Sequence, residues 1–228
     1  WSLGTSISML ITAIISPVLG AIADHSAGKK RFLLFFTLIC IVSTSLLYFV
    51  NKGNILSGLI LFILANIGFE AGLVFYDSFL PEITKPKNYG RVSGYGFAMG
   101  YLGSFTTLAI IYPFIQKQMI REIFPLSALI FLIFAIPLFV FIKDSRKKIE
   151  KENSFFKIGF SRVINTISNL KSYKNLSLFL LSFFFFIEGV NTVIYFSGNY
   201  ASTTLKFSFQ ELIVFFIIVQ TTAILGSL

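Results

Sequence analysis

Apolar residues fall into seven long stretches, at positions 2–23, 32–50, 55–80, 92–115, 123–142, 176–201 and 211–228. About 20 apolar residues in a helix cross the hydrocarbon core of a bilayer, and each stretch is close to that length. None alternates with period two between turn signals, so a β-barrel is not expected. Backbone groups in lipid must then be satisfied within helices. The pattern predicts an all-α membrane protein with seven spans. There is no basic region ahead of the first span, no initiator methionine, and position 228 falls inside an apolar run. The chain therefore reads as an internal piece of a longer polypeptide, with its last span truncated.

The polar interruptions set the orientation. The turn after the first span carries Lys29, Lys30 and Arg31, and the third loop carries Lys85, Lys87 and Arg91. The fifth loop, 143–175, is the longest and most basic. Odd loops hold 15 of the 19 cations and even loops hold 4. Cationic loops stay on the cytoplasmic side, so the odd loops are expected there. Within the fifth loop, Phe156, Phe160, Val163, Ile167 and Leu170 share one helical face, with Lys157, Arg162 and Lys171 interleaved. An amphipathic helix on the inner membrane surface is predicted, linking a bundle at 1–142 to the start of a second at 176–228.

Composition sharpens this picture. Charged residues make up 13% of the chain, about half of what a soluble domain carries. The net charge of +9 could suggest nucleic acid as a partner, but the cations lie only between apolar runs, so none is expected. A single cysteine, Cys40, and a single histidine, His25, cannot build a disulfide framework or a metal cluster. Neither an enzyme nor a cofactor is expected.

Ionisable groups inside a bilayer are costly, which makes each a functional candidate. Glu70 lies deep in the third span, with Asn66 one turn before it and Asp77 two turns after, on one face. Glu188 lies in the sixth span, followed by Asn191 and Tyr195 on one stripe, and Gln220 adds a polar group to the seventh. A carboxyl in a low-dielectric setting takes up a proton more readily, which suits proton coupling or binding of a substrate cation. Interhelical hydrogen bonding is the simpler role for the same residues. In the fourth span, Gly96, Gly100 and Gly103 are expected to let another helix pack closely. Gly94 and Gly96 are followed by Met99 where a dinucleotide fingerprint needs its third glycine, and they lie in a membrane helix, so that reading fails.

Three stretches carry a family resemblance. Gly20-Ala-Ile-Ala-Asp24, a turn at Gly28 and Lys29-Lys30-Arg31 resemble the signature loop between the second and third helices of the major facilitator superfamily. His25 stands where that pattern prefers a cation, and one extra residue precedes Gly28. Val74-Phe-Tyr-Asp-Ser-Phe-Leu-Pro-Glu82 with Gly90-Arg-Val-Ser-Gly-Tyr-Gly-Phe-Ala-Met-Gly-Tyr-Leu-Gly103, and then Glu188-Gly-Val-Asn-Thr-Val, resemble the vacuole-effluxer-like branch. The resemblance implies that the seven spans are the second to eighth of twelve helices, arranged as a major-facilitator-type bundle. It also places the helices of Glu70 and Glu188 at the central cavity. The founding members of that branch are linked to amino-acid efflux from the yeast vacuole.

The resulting expectation is a secondary transporter of a small polar solute, with amino acids as the candidate class, working by alternating access. Glu70, Glu188, Asn66, Asn191, Tyr195 and Gln220 are the expected substrate or proton site. Asp24, Gly28, Lys29, Lys30, Arg31 and Asp77 are the expected cytoplasmic gate. Protons are the expected coupling ion and the protein is expected to be monomeric. A bacterial cell membrane is the expected location, with a vacuolar membrane as the alternative. A seven-helix receptor or a non-transporting structural membrane protein remains the alternative reading; no receptor-type Asp-Arg-Tyr or Asn-Pro-x-x-Tyr motif is present.

Overall fold

A computed structural model describes residues 2–25, 28–142, 155–169 and 174–227; for residues 24, 25, 155–159, 162, 167 and 209 only the backbone is described. The regular elements among them are all helical. They are α1 (Ser2–His25), α2 (Lys29–Leu46), α3 (Ile55–Asp77), α4 (Leu80–Ile83), α5 (Tyr89–Gln116), α6 (Ile120–Phe141), α7 (Phe155–Ser168), α8 (Lys174–Thr203) and α9 (Phe209–Ser227). Seven of them, with their flanking turns, are long and apolar enough to cross a membrane, and they coincide with the seven predicted stretches.

Helix boundaries follow local chemistry. Gly28 opens α2 with φ at 129°, a conformation that side-chain-bearing residues rarely adopt. Gly53, at φ 96°, turns the chain into α3. Pro81 sits in the first turn of the short α4, where its missing N–H costs nothing. At the start of α9, Ser208 and Glu211 form a capping box. The Ser208 N–H and hydroxyl both donate to Glu211 Oε2 at 2.7 Å, and the Glu211 N–H donates back to Ser208 Oγ at 3.3 Å. Hydroxyls within the spans bond the carbonyl one turn back, as Thr107 does to Gly103 at 2.8 Å and Thr221 to Ile217 at 2.8 Å. This keeps them satisfied in an apolar setting.

The core lies between α1, α2 and α3. Leu19, Ala23, Leu33, Ala71, Phe75 and Phe79 are buried together, with Leu138 and Phe139 of α6 against them. Phe75 is fully enclosed and stacks on Phe32 and Phe36, at centroid distances of 5.4 and 5.9 Å. Each such pair contributes about 0.5–1.5 kcal/mol beyond its area. Since lipid tails are as apolar as these side chains, close packing rather than water exclusion holds such helices together.

Part of the fifth loop, where an amphipathic helix is predicted, is helical as α7, which packs against α1. The charge run 143–152 that precedes it, and Leu170 and Lys171 after it, lie outside the described residues. In α5, the close helix approach falls at Gly94 instead of the expected Gly96, Gly100 and Gly103. A Cβ on Gly94 would stand 2.6 Å from the backbone carbonyl oxygen of Ser227 in α9. One on Gly96 would meet only the Tyr76 hydroxyl at 3.5 Å, and those on Gly100 and Gly103 would meet nothing within 4 Å. The reason is that α9 crosses α5 near its first turns, so only the glycine at the crossing is pressed.

Candidate functional site

Two groups of polar residues are assembled by this packing. The first is at the end of the spans where α1 turns into α2. Lys29 Nζ stands 2.7 Å from Glu82 Oε1 and donates to the Ser78 carbonyl at 3.2 Å. Lys30 Nζ donates to the Ile142 carbonyl at 2.8 Å. Ser78 closes α3 and Ile142 closes α6. Cations at the start of α2 oppose that helix's own dipole, but here they point to the carbonyl ends of two other helices, where positive charge is favourable. One dipeptide thus pins α2 to α3 and α6.

This arrangement departs from the expected gate in its acid. Asp77 is exposed and makes no side-chain bond among the described residues, while Glu82, not foreseen as a gate residue, takes the lysine. The break after α3 explains the exchange: the chain turns at Ser78 and α4 swings Glu82 back under Lys29. An acid directly after Pro81 was the available signal. The Arg31 side chain is exposed, and that of Asp24 lies outside the described residues. The Lys29–Glu82 pair is partly buried, with exposures of 15% and 23%. Replacing Glu82 by Gln is expected to cost about 1 kcal/mol. That would appear as a fall of about 2–4 °C in the melting temperature of the solubilised protein. An unchanged melting temperature would show the pair to be idle.

The second group lies within the membrane-spanning part. The Tyr195 hydroxyl of α8 donates to Glu70 Oε1 of α3 at 3.5 Å, joining residues 125 positions apart. Both side chains are half-buried. One turn before Glu70, Asn66 Nδ2 donates to Ser8 Oγ of α1 at 2.7 Å. Ser8 is fully buried, and its hydroxyl donates to the Thr5 carbonyl at 2.9 Å. Beside Tyr195 an open cavity of about 430 Å³ is lined by that residue with Ser2, Phe196 and Asn199.

The helices α1 and α3 run in the same direction, being separated by one hairpin partner. A Cβ on Gly4 would press on Leu59 and Phe62, and Ser8 meets Asn66 one turn further. Thr12 is buried, and its Oγ1 has no hydrogen-bond partner among the described residues. This hydroxyl stripe, Thr5, Ser8 and Thr12, was not foreseen. Its signal was small polar residues at spacings of three and four along the first span.

The other expected site residues are not gathered here. Glu188 is exposed, two turns or about 10 Å along α8 from Tyr195, and its side chain has no partner among the described residues. Asn191 is half-buried between them. Gln220 of α9 is half-buried, with Oε1 enclosed and unpartnered. Among the described residues no three His, Cys, Asp or Glu side chains converge as metal ligands would.

Comparison with known proteins was decisive for the family. The family description "Vacuole effluxer Atg22 like" matches residues 2–90 and 84–228, almost the whole chain. The chain belongs to the vacuole-effluxer-like family. It is 34% identical over 223 residues to the "Uncharacterized MFS-type transporter YxiO" of Bacillus subtilis (strain 168), covering 93% of this chain and 52% of that protein. An uncharacterized protein of Aquifex aeolicus (strain VF5) is 30% identical over 203 residues, or 88% of this chain and 47% of the relative. The "Autophagy-related protein 22" of Coccidioides immitis (strain RS) is 39% identical over 80 residues, 35% of this chain and 13% of that protein. The chain thus spans about half the length of the bacterial relatives it matches. No solved structure matches it at a significant level. A multi-pass, all-α membrane protein of the vacuole-effluxer-like family is the identity that fold and relatives jointly support.

Proposed function

We propose that this chain is part of a secondary active transporter that moves a small polar solute, with amino acids as the solute class, by proton-coupled alternating access. The relative named as an MFS-type transporter supports the transporter reading, and the family description as a vacuole effluxer supports efflux. In this reading, 1–142 belongs to one bundle, 143–175 is the cytoplasmic linker and 176–228 opens the second bundle. Glu70 takes up and releases the coupling proton or holds the solute's cationic group. Asn66, Tyr195, Asn191 and Gln220 orient the solute, and Glu188 supplies a second acid nearer the cytoplasm. Lys29 and Lys30, with the Gly28 turn and Glu82, hold the cytoplasmic side closed in one of the two states; Asp24, Arg31 and Asp77 complete that surface. The transporter acts as a monomer in a bacterial cell membrane, with a vacuolar membrane as the alternative.

The observation that carries this reading is the bond from Tyr195 to Glu70. A carboxyl among apolar helices needs a reason to be there. Its one side-chain partner among the described residues comes from the far side of the central linker, so a change in its protonation acts on the contact between the bundles. In the test, the full-length protein is reconstituted into vesicles with a labelled mixture of the proteinogenic amino acids outside, and a pH gradient is imposed. Uptake that follows the gradient and collapses with a protonophore is expected. Uptake equal to that of empty vesicles would overturn the amino-acid reading, and uptake indifferent to the gradient would overturn proton coupling.

A further inference from the structure

The helix α8 has two unlike sides. Glu188, Asn191, Tyr195, Asn199 and Ser202 follow one another at spacings of three and four, which puts them on one side of the helix over about 21 Å. On the opposite side, Phe186, Val193 and Ile194 belong to an apolar groove of about 520 Å³. A groove of that chemistry suits lipid tails. A polar stripe along an apolar span does not, and turns toward a bundle interior or a water-filled space.

Such a space lies on the polar side, as the cavity of about 430 Å³ lined by Ser2, Tyr195, Phe196 and Asn199. Two helices independently give its depth. Ser2 begins the 24-residue α1, about 35 Å from the basic turn at the other end. Asn199 lies about 38 Å along α8 from Lys174, where that helix leaves the basic linker. Both put the cavity at the end of the spans away from the basic loops. Tyr195 belongs both to this cavity and to the bond with Glu70.

Asn199 supplies the amide among the lining residues. Ser202 and Thr203 spend their hydroxyls on its backbone carbonyl, at 3.0 and 2.7 Å, as hydroxyls in membrane helices commonly do. The Asn199 side chain itself is exposed and makes no hydrogen bond among the described residues. Its two donors and its acceptor are left for a polar molecule in the cavity.

We propose that this cavity is the outer mouth of the solute path and that Asn199 is its entry-side binding residue, meeting a polar solute one helical turn outside Tyr195. The inference rests on the transporter reading above and deepens it: it assigns the side from which solute reaches Glu70 in this conformation and a residue that binds it on the way. With the basic loops in the cytoplasm, the mouth opens on the far side of the membrane. Its volume falls within the range of about 300–1,000 Å³ usual for small-molecule sites.

The experiment uses the full-length protein in intact cells, with native cysteines such as Cys40 replaced by serine, and a membrane-impermeant methanethiosulfonate reagent. Asn199→Cys is expected to react about tenfold faster than Ile194→Cys in the apolar groove, because the reagent attacks thiolate, which forms in water and not in lipid. An excess of the proteinogenic amino acids is expected to slow that reaction severalfold. In reconstituted vesicles, Asn199→Ala is expected to raise the apparent KM for the labelled mixture about two- to tenfold with the maximal rate nearly unchanged, in line with one net hydrogen bond. Asn199→Gln, which keeps the amide, is expected to recover part of that loss.

Reaction of Asn199→Cys no faster than that of Ile194→Cys, or seen only in inverted vesicles, overturns the outer mouth. Either no protection by the amino acids or an unchanged KM in Asn199→Ala overturns the binding role. If Asn199→Cys does not reach the membrane, Phe196→Cys, from the same cavity, takes its place. The labelling comparison needs no transport, so the two readings fail separately. If wild-type vesicles take up no amino acid while Asn199→Cys reacts from outside, the amino-acid reading falls and the mouth stands; if uptake is normal and Asn199→Cys is inert, only this inference falls.

Discussion

Glu70→Gln is expected to lower gradient-driven uptake by the full-length protein about 10- to 100-fold while leaving solute exchange across the membrane measurable. Glutamine has the shape of the acid and can still accept from Tyr195, so the helix contact between α3 and α8 survives. What it loses is the capacity to change charge. An interaction with a charged group contributes about 1.5–3 kcal/mol, and each 1.4 kcal/mol is about tenfold in rate or affinity. Exchange under equal pH on both sides needs the site but no net proton movement, so comparing it with gradient-driven uptake separates coupling from binding. Glu188→Gln is expected to have a smaller effect, because that side chain is exposed and unpartnered among the described residues, whereas Glu70 is half-buried and bonded. Undiminished gradient-driven uptake in Glu70→Gln would remove this acid from the mechanism.

Gly68→Ala is expected to cost about 1–3 kcal/mol, the usual effect of adding a methyl to a filled interface. A Cβ on Gly68 would lie 2.8 Å from both the Cys40 amide nitrogen and the Phe36 carbonyl oxygen. These are backbone atoms of α2, and no rotamer change can move them away, so α2 and α3 must separate. The fully enclosed Phe75 stacks on Phe32 and Phe36 across the same interface and would lose contact as they do. Gly72→Ala is the control. One turn further, a Cβ meets Leu33 and Phe36 side chains at 3.8 Å, which is ordinary contact. Melting of the solubilised protein, followed by loss of the monodisperse species on gel filtration, should show the first variant well below wild type and the second beside it. Equal behaviour of the two would mean that the α2–α3 interface is looser than the geometry requires.

The helix ladder was readable in the chain because its determinants are local. A stretch such as 32–50 has to be helical once it enters lipid, whichever neighbours it has. Part of the signature loop has local causes as well: Gly28 takes the positive φ of a turn, and Lys29 and Lys30 reach the carbonyl ends of α3 and α6. Pairing was much less legible. The lysine's acid proved to be Glu82 instead of Asp77, because a turn at Ser78 and a four-residue helix decide which acid returns to Lys29. Within α5, the glycine that a neighbouring helix presses is Gly94, since the crossing point of α5 and α9 selects one of its several glycines.

The same contrast runs through the candidate site. A carboxyl at Glu70 and a tyrosine at Tyr195 could each be singled out from polarity within an apolar run, and one-residue-per-turn spacing grouped each with its helix neighbours. No periodicity could say that these two meet, or that Glu188, on the same helix as Tyr195, has no such partner among the described residues. The hydroxyl stripe on α1 was overlooked for a related reason. Serine and threonine can satisfy themselves against their own helix, so polarity alone does not mark them as contacts.

The chain by itself determined that seven stretches are long and apolar enough to cross a membrane as helices, and which few ionisable groups lie within them. Those properties follow from the cost of moving each residue's own atoms between water and lipid, a sum over single positions. The tertiary structure alone decided which groups meet: Ser8 with Asn66, Tyr195 with Glu70, Lys29 with Glu82. Meeting depends on where helices cross and in what register, and in a uniformly apolar surrounding that is set by close fit at a few small residues, which no single position encodes.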